Sequence, residues 1–205
     1  MALGGSRKVT RWWWIRHAPA IDPEGRIYGQ RDVECDCSDA AAFAALARDL
    51  PDGAVWVTTP LRRTRETAAA IRKAGRDGPD PLIEPMLVEQ NFGDWQGQKR
   101  SEIIHHRMWI AGPDETPPGG ENFVSVMIRV GAAIERLGRE YRGRDIVAVA
   151  HGGTIRSALG VALDLAPELA LAFSVDNLSL TVTERFSESA ASHDWRVVAV
   201  NRPPR

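Results

Sequence analysis

The chain has 205 residues, with 26 Lys+Arg against 27 Asp+Glu, a net charge of −1 and 43% hydrophobic residues, and its mean hydropathy is −0.27. These values describe a globular chain long enough to bury a core without disulfide or metal staples, and they exclude the basic field that binding to nucleic acid or an anionic membrane requires. Three of the basic residues are lysine and 23 are arginine, the side chain whose planar fork grips phosphate or carboxylate, so the placement of those arginines becomes the question.

Strands and helices alternate in the way that βα units of a largely parallel sheet require. TRWWWI at 10–15 predicts a strand, and its tryptophans read as core rather than as an aromatic binding strip. DAAAFAALARDL at 39–50 predicts a helix capped by Asp39, AVWVT at 54–58 a strand, and LRRTRETAAAIRKAG at 61–75 a helix ended by Gly75. A turn-rich loop at 75–81 leads into PLIEPMLVE, a short extended stretch interrupted by proline. The pattern is helical over 100–111, then GPDETPPGG at 112–120 forms a loop. A long helix is expected from Glu121 to Tyr141, a strand buried on both faces at IVAVA, 146–150, and another helix from Thr154. LSLTVTE at 178–184 and WRVVAV at 195–200 predict a closing hairpin. No internal repeat or linker divides the chain, so one domain over residues 1–205 is expected.

No apolar run approaches the ~18 residues that span a bilayer, and the start MALGGSRKVT lacks the apolar stretch of a secretory signal, so a cytoplasmic protein is expected. Cys35 and Cys37 stand too close together for easy disulfide closure, and no second pair completes a zinc site; they read as free thiols. His105 and His106 are adjacent, point about 100° apart on a helix and form a poor chelating pair, so neither a metal nor any other cofactor is expected.

Two predicted strands end in histidine: WWWI runs into Arg16-His17-Ala18, and IVAVA into His151-Gly152-Gly153-Thr154. In open α/β sheets, ligands bind outside the carboxyl ends of the strands, and Thr154 opens a helix whose N-terminus suits an anion. The strand AVWVT delivers Arg62, Arg63 and Arg65 to the same edge, and the fourth extended stretch ends at Glu89 among apolar and aromatic neighbours. Any one of these has an ordinary reading as a core histidine, a solvated arginine face or a surface glutamate. Their convergence at one sheet edge is not something packing asks for.

The motifs IRHAPA, TTPLRRTRETA, LVEQNFGDWQGQ, PPGGEN and VAVAHGGTIRSAL, in this order over residues 10–184, resemble the histidine phosphatase superfamily, with the alpha-ribazole phosphatase-like branch as the nearest likeness. The resemblance implies a three-layer α/β/α fold with a mostly parallel central sheet, phosphoglycerate mutase-like. It implies His17 as nucleophile, Arg16 and Arg63 on the phosphate, His151 as second histidine and Glu89 as proton donor, with Arg62 competing for the second arginine. Gly152 would offer an amide to the phosphate, and Tyr28, Gln30 and Asn122 fall in loops expected to touch substrate. The expected activity is metal-independent hydrolysis of a small phosphate ester through a phosphohistidine, alpha-ribazole phosphate being one such ester. Glu89 must then be protonated to expel the leaving group, and apolar neighbours together with a bound dianion favour that form.

Four departures bear on function: Ala18 stands where the family has glycine, Pro23 where it has a phosphate-touching asparagine, Gly153 where mutases have asparagine, and Asn122 where a serine often follows the GE of the loop. A cofactor-dependent phosphoglycerate mutase shares the catalytic set, but the short stretch between Glu89 and His151 leaves little lid to retain a bisphosphate. A phospho-ligand-binding scaffold would not need the acid. The partner expected is a small phosphate ester, with neither nucleic acid nor membrane, and a homodimer remains open.

Overall fold

The computed structural model of the chain describes residues 9–21, 25–104, 112–187 and 194–205. Strands β1 (Val9–Arg16), β2 (Val55–Thr58), β3 (Leu82–Ile83), β4 (Asp145–Ala150), β5 (Leu180–Phe186) and β6 (Trp195–Arg202) form one sheet in the order β3-β2-β4-β1-β5-β6. The first four run parallel, while β5 and β6 are antiparallel and make the expected hairpin.

The period-two alternation of strand side chains divides the core into two layers. Trp12, Trp14, Ile146 and Ala148 face helices α4 (Phe123–Glu140) and α5 (Gly152–Leu163), meeting Val126, Val130 and Ile155. Ile15, Trp56, Val147 and Val149 face the opposite side, where α1 (Ala40–Asp49) and α2 (Arg62–Lys73) supply Phe43, Leu46 and Ile71. The architecture is therefore α/β/α. Trp12 and Trp14, two residues apart on one face, stack at 4.8 Å between centroids and are fully buried, which assigns them to the core. Burying each large side chain contributes about 1.5–3 kcal/mol.

PLIEPMLVE forms less strand than its sequence suggests: only Leu82 and Ile83 pair with β2. Pro85 has no N–H for a ladder and instead starts a 3-10 turn over Pro85–Leu87, with Glu84 accepting from the Met86 N–H. The long helix starts at Phe123 because the Asn122 side chain accepts from the Ser125 N–H. α5 begins at Gly152 rather than Thr154. The 100–111 helix is described as α3 (Arg100–Ile104), and His105, His106 and Arg107 lie outside the described residues, as does Pro23. A further helix, α6 (Pro167–Leu171), carries proline in its first turn, a start signal that sequence reading passed over. Among the described residues no helix is long and apolar enough to cross a membrane.

Candidate active site

The sheet register builds the centre of the site. β1 and β4 pair with Arg16 opposite Ala150, so the next residues, His17 and His151, leave the two central strands side by side, with ring centroids 5.3 Å apart. β2 ends one register step earlier, Thr58 opposite Val149, and brings Thr59 beside His151.

His17 is 1% exposed, and its Nδ1–H donates to the Ala18 carbonyl at 2.6 Å. A carbonyl can only accept, so the proton sits on Nδ1 and the lone pair is on Nε2. The Ala18 N–H donates to Thr67 Oγ1 at 2.8 Å, and Asn177 Nδ2 donates to the His17 carbonyl at 2.8 Å, so the backbone at His17 is held from both sides. Burial, and then the charges of Arg63 and Arg16, push the His17 pKa down to about 3, so the ring is neutral at physiological pH. His151 is fully buried, and its Nε2 is hydrogen-bonded to Thr59 Oγ1 at 3.0 Å. Burial and the nearby Arg63 charge hold its pKa well below the usual imidazole range.

Arg63, in the first turn of α2, is fully buried; its Nη1 and Nη2 donate to the carbonyls of Arg31 (2.9 Å) and Gly29 (2.6 Å). Its guanidinium stacks 5.0 Å over the Tyr28 ring, which in turn meets His17 edge-on at 6.3 Å. Arg62 turns outward to Glu34 and Glu66, so only the second arginine of the pair reaches the centre. Arg16 Nη1 donates to the Val175 carbonyl at 2.6 Å. After these bonds, three buried polar atoms at this centre remain without a hydrogen-bond partner: Arg16 Nε, Arg63 Nε and His151 Nδ1. Buried polar groups are nearly always satisfied, and here the unsatisfied ones come from three segments that meet around His17.

Glu89 lies at the start of α5, where its carboxylate accepts from the Gly153 N–H at 3.1 Å and from its own neighbour Gln90 at 3.0 Å. Of the glycine pair of HGGT, Gly153 is the one whose lack of a side chain close approach exploits. A Cβ on Gly152 would come within 3.7 Å of Arg16 Nε and 3.3 Å of Arg156 Nη1, and one on Gly153 would overlap Glu89 Oε1. A neighbouring cavity of about 250 Å³ is bordered by Arg16, Tyr28, Glu89, Gly152 and Arg156, among others. His17, His151 and Arg63 are more deeply buried and do not line it. The segments 91–95 and 117–121, which border the cavity with Phe92, Trp95 and Pro117, are joined by bonds from Asp94 N–H to the Pro118 carbonyl and from Glu121 N–H to the Asn91 carbonyl, both 2.9 Å.

Seven of the residues singled out from sequence thus meet here: Arg16, His17, Tyr28, Arg63, Glu89, His151 and Gly152. Gln30 and Asn122 do not border the cavity. Gln30 Nε2 donates to the Glu89 carbonyl at 2.9 Å and supports the backbone there instead, while the Asn122 amide caps α4 and donates to the Asp114 carbonyl at 3.2 Å. Sequence reading missed Thr59, Asn177 and two arginines. Arg156 borders the cavity with its Nε tied to the Phe173 carbonyl, and Arg129 donates to the Val88 and Glu89 carbonyls. Arg156 could have been found from its place one turn into the helix that follows His151; the others depend on contacts distant in sequence. Among the described residues no group of three or more His, Cys, Asp or Glu is placed to hold a metal ion.

The family model described as histidine phosphatase superfamily (branch 1) matches residues 12–199. A bifunctional protein of Mycobacterium tuberculosis is 33% identical over 198 residues, which are 92% of this chain and 54% of that protein, so the chain spans about half of its relative's length. A 2,3-bisphosphoglycerate-dependent phosphoglycerate mutase of Gloeobacter violaceus is 32% identical over 168 residues, 75% of this chain and 76% of the mutase. The solved structure of a mycobacterial glucosyl-3-phosphoglycerate phosphatase superposes with a TM-score of 0.79 at 25% identity, covering 95% of this chain and 99% of that one.

Proposed function

As the chain belongs to the histidine phosphatase superfamily, we propose that it hydrolyses a small phosphate monoester through a phosphohistidine at His17. The observation that carries this reading is the trio of buried, unpartnered atoms, Arg16 Nε, Arg63 Nε and His151 Nδ1, around a neutral imidazole. A tetrahedral dianion supplies what all three lack, and its charge offsets the burial that keeps His151 neutral in the free protein.

His17 Nε2 attacks phosphorus, the P–O bond to the leaving group breaks, and Glu89 delivers its proton to the departing oxygen. Arg16, Arg63 and a protonated His151 hold the equatorial oxygens as charge spreads over them. A water molecule, deprotonated by Glu89, then attacks the phosphohistidine; the N–P bond breaks, His17 is regenerated and phosphate leaves. Charge compensation in this scheme comes from side chains, and activity is expected to survive a chelator.

The test is a panel of phosphomonoesters in EDTA, with alpha-ribazole phosphate included as the first named candidate. Release of phosphate by the wild-type protein and its loss in His17→Ala support the reading; wild-type turnover by His17→Ala refutes it. The likeness to a mutase supports a second reading, tested by converting 3- to 2-phosphoglycerate with added 2,3-bisphosphoglycerate. Turnover there faster than phosphate release would favour it.

A further inference from the structure

We propose that the site selects phosphate esters whose leaving group is uncharged and carries a flat apolar face, and discriminates against leaving groups bearing a second anion. The inference rests on the phosphatase reading, because it takes Glu89 as the acid that protonates the leaving oxygen.

That role fixes where the leaving group must lie. The cavity is continuous from Glu89 onto the wall built by the residues that follow it, Gln90, Phe92 and Trp95, and by the segment bonded to them, with Pro113, Pro117 and Phe123. The wall is fixed in place. Gln90 Nε2 donates to the Glu121 carbonyl at 2.8 Å, and a Cβ on Gly93, whose φ is +49°, would overlap the Pro118 carbonyl. Its surface is therefore two prolines and three aromatic rings at a fixed spacing, which suits the face of a planar group.

The charged side chains that border the cavity are unevenly placed. Among the described residues, the two cations that border the cavity, Arg16 and Arg156, stand at the start of α5 within 4 Å of the point where a Gly152 Cβ would be, and they are tied to the carbonyls of Val175 and Phe173 respectively. They serve the phosphate end. Besides these two arginines and Glu89, the one charged side chain among the described residues that borders the cavity is Glu115, in the loop that supplies Pro113 and Pro117. A carboxylate or second phosphate on the leaving group would meet a like charge and aromatic surface there, with no cation among the described residues beside Glu115 to replace its lost hydration.

The experiment compares phenyl phosphate with 4-carboxyphenyl phosphate, which differ by one carboxylate on the wall side. The carboxylate makes the phenol a slightly better leaving group, so intrinsic reactivity works against the expected order. The full-length protein should favour phenyl phosphate by about tenfold or more in kcat/KM, and Glu115→Lys, on an exposed loop position, should narrow or invert that ratio. Trp95→Ala should lower kcat/KM for phenyl phosphate more than for ethyl phosphate. Hydrolysis of both aryl esters with equal kcat/KM, or a ratio unmoved by Glu115→Lys, overturns the leaving-group inference and leaves the phosphatase reading intact. Hydrolysis of no phosphomonoester at all overturns both.

Discussion

The Nδ1–H of His17 donates to the carbonyl oxygen of its own neighbour, Ala18, at 2.6 Å. This contact settles the tautomer of a ring that is buried and neutral, and leaves Nε2 as the nitrogen with a lone pair to give. On the proposed mechanism, two adjacent residues at the end of β1 thereby prepare a nucleophile that needs no base to activate it.

The same burial makes the free protein sensitive to acid. His17 is pushed down to about 3 from 6.5, and His151 is also lowered, by burial first and Arg63 second. In the unfolded chain both titrate near 6.5, so between pH 6.5 and about 3 the unfolded state binds more protons and native stability falls as pH falls. Above that window the contribution is fully present. Urea unfolding at pH 7 and pH 5 should show this loss, at most about 1.4 kcal/mol per pH unit for each histidine. His17→Gln should flatten the slope; a slope identical to wild type would contradict the assignment.

Gly153→Ala places a methyl against Glu89 Oε1 at the first turn of α5. Alanine is the better helix former, so thermal stability should stay within a few degrees of wild type. The acid is displaced, and kcat should fall by about 100-fold, the scale of a 1 Å misplacement. Wild-type kcat in a folded Gly153→Ala protein would remove Glu89 from the mechanism.

Asn177 acts on His17 only through its 2.8 Å bond to the backbone carbonyl, and its segment is anchored by Asp176, whose N–H donates to Asn201 Oδ1 at 2.6 Å. Asn177→Ala should lower kcat by about tenfold with KM little changed, at a stability cost of about 1 kcal/mol. Asn177→Asp, which donates only when protonated, should recover activity relative to Asn177→Ala as pH is lowered. Equal losses in kcat and stability across both variants at every pH would mark the residue as structural alone.

Asn122 lies in a loop expected to touch substrate but caps α4. Asn122→Ala should cost about 1 kcal/mol in unfolding free energy and leave kcat/KM unchanged. A rise in KM with unaltered stability would restore it to the substrate site.

Much of this site is legible in sequence because its groups sit at strand ends. WWWIRH and IVAVAH each announce a buried strand that stops at a histidine, and parallel pairing of the two strands does the rest. The resemblance names Arg63 with Arg62 competing, and the fold separates them: consecutive helix residues point about 100° apart, so Arg63 is buried while Arg62 turns out to Glu34 and Glu66. What sequence could not show are bonds made across long separations. Thr59 meets His151 across 92 positions and Asn177 meets His17 across 160, and neither carries a local pattern. Asn122 misled for a related reason, since its neighbours in PPGGEN do close the cavity wall while its own amide is consumed by the helix it starts.

The most direct test of the central claim is to trap the intermediate. Wild-type protein mixed with a turned-over phosphomonoester and quenched in alkali should gain one phosphoryl group, mapped to the peptide containing His17, which is lost on brief acid treatment and never formed by His17→Gln. Phosphoryl transfer to another side chain, or a phosphoenzyme equally abundant in His17→Gln, would contradict the account.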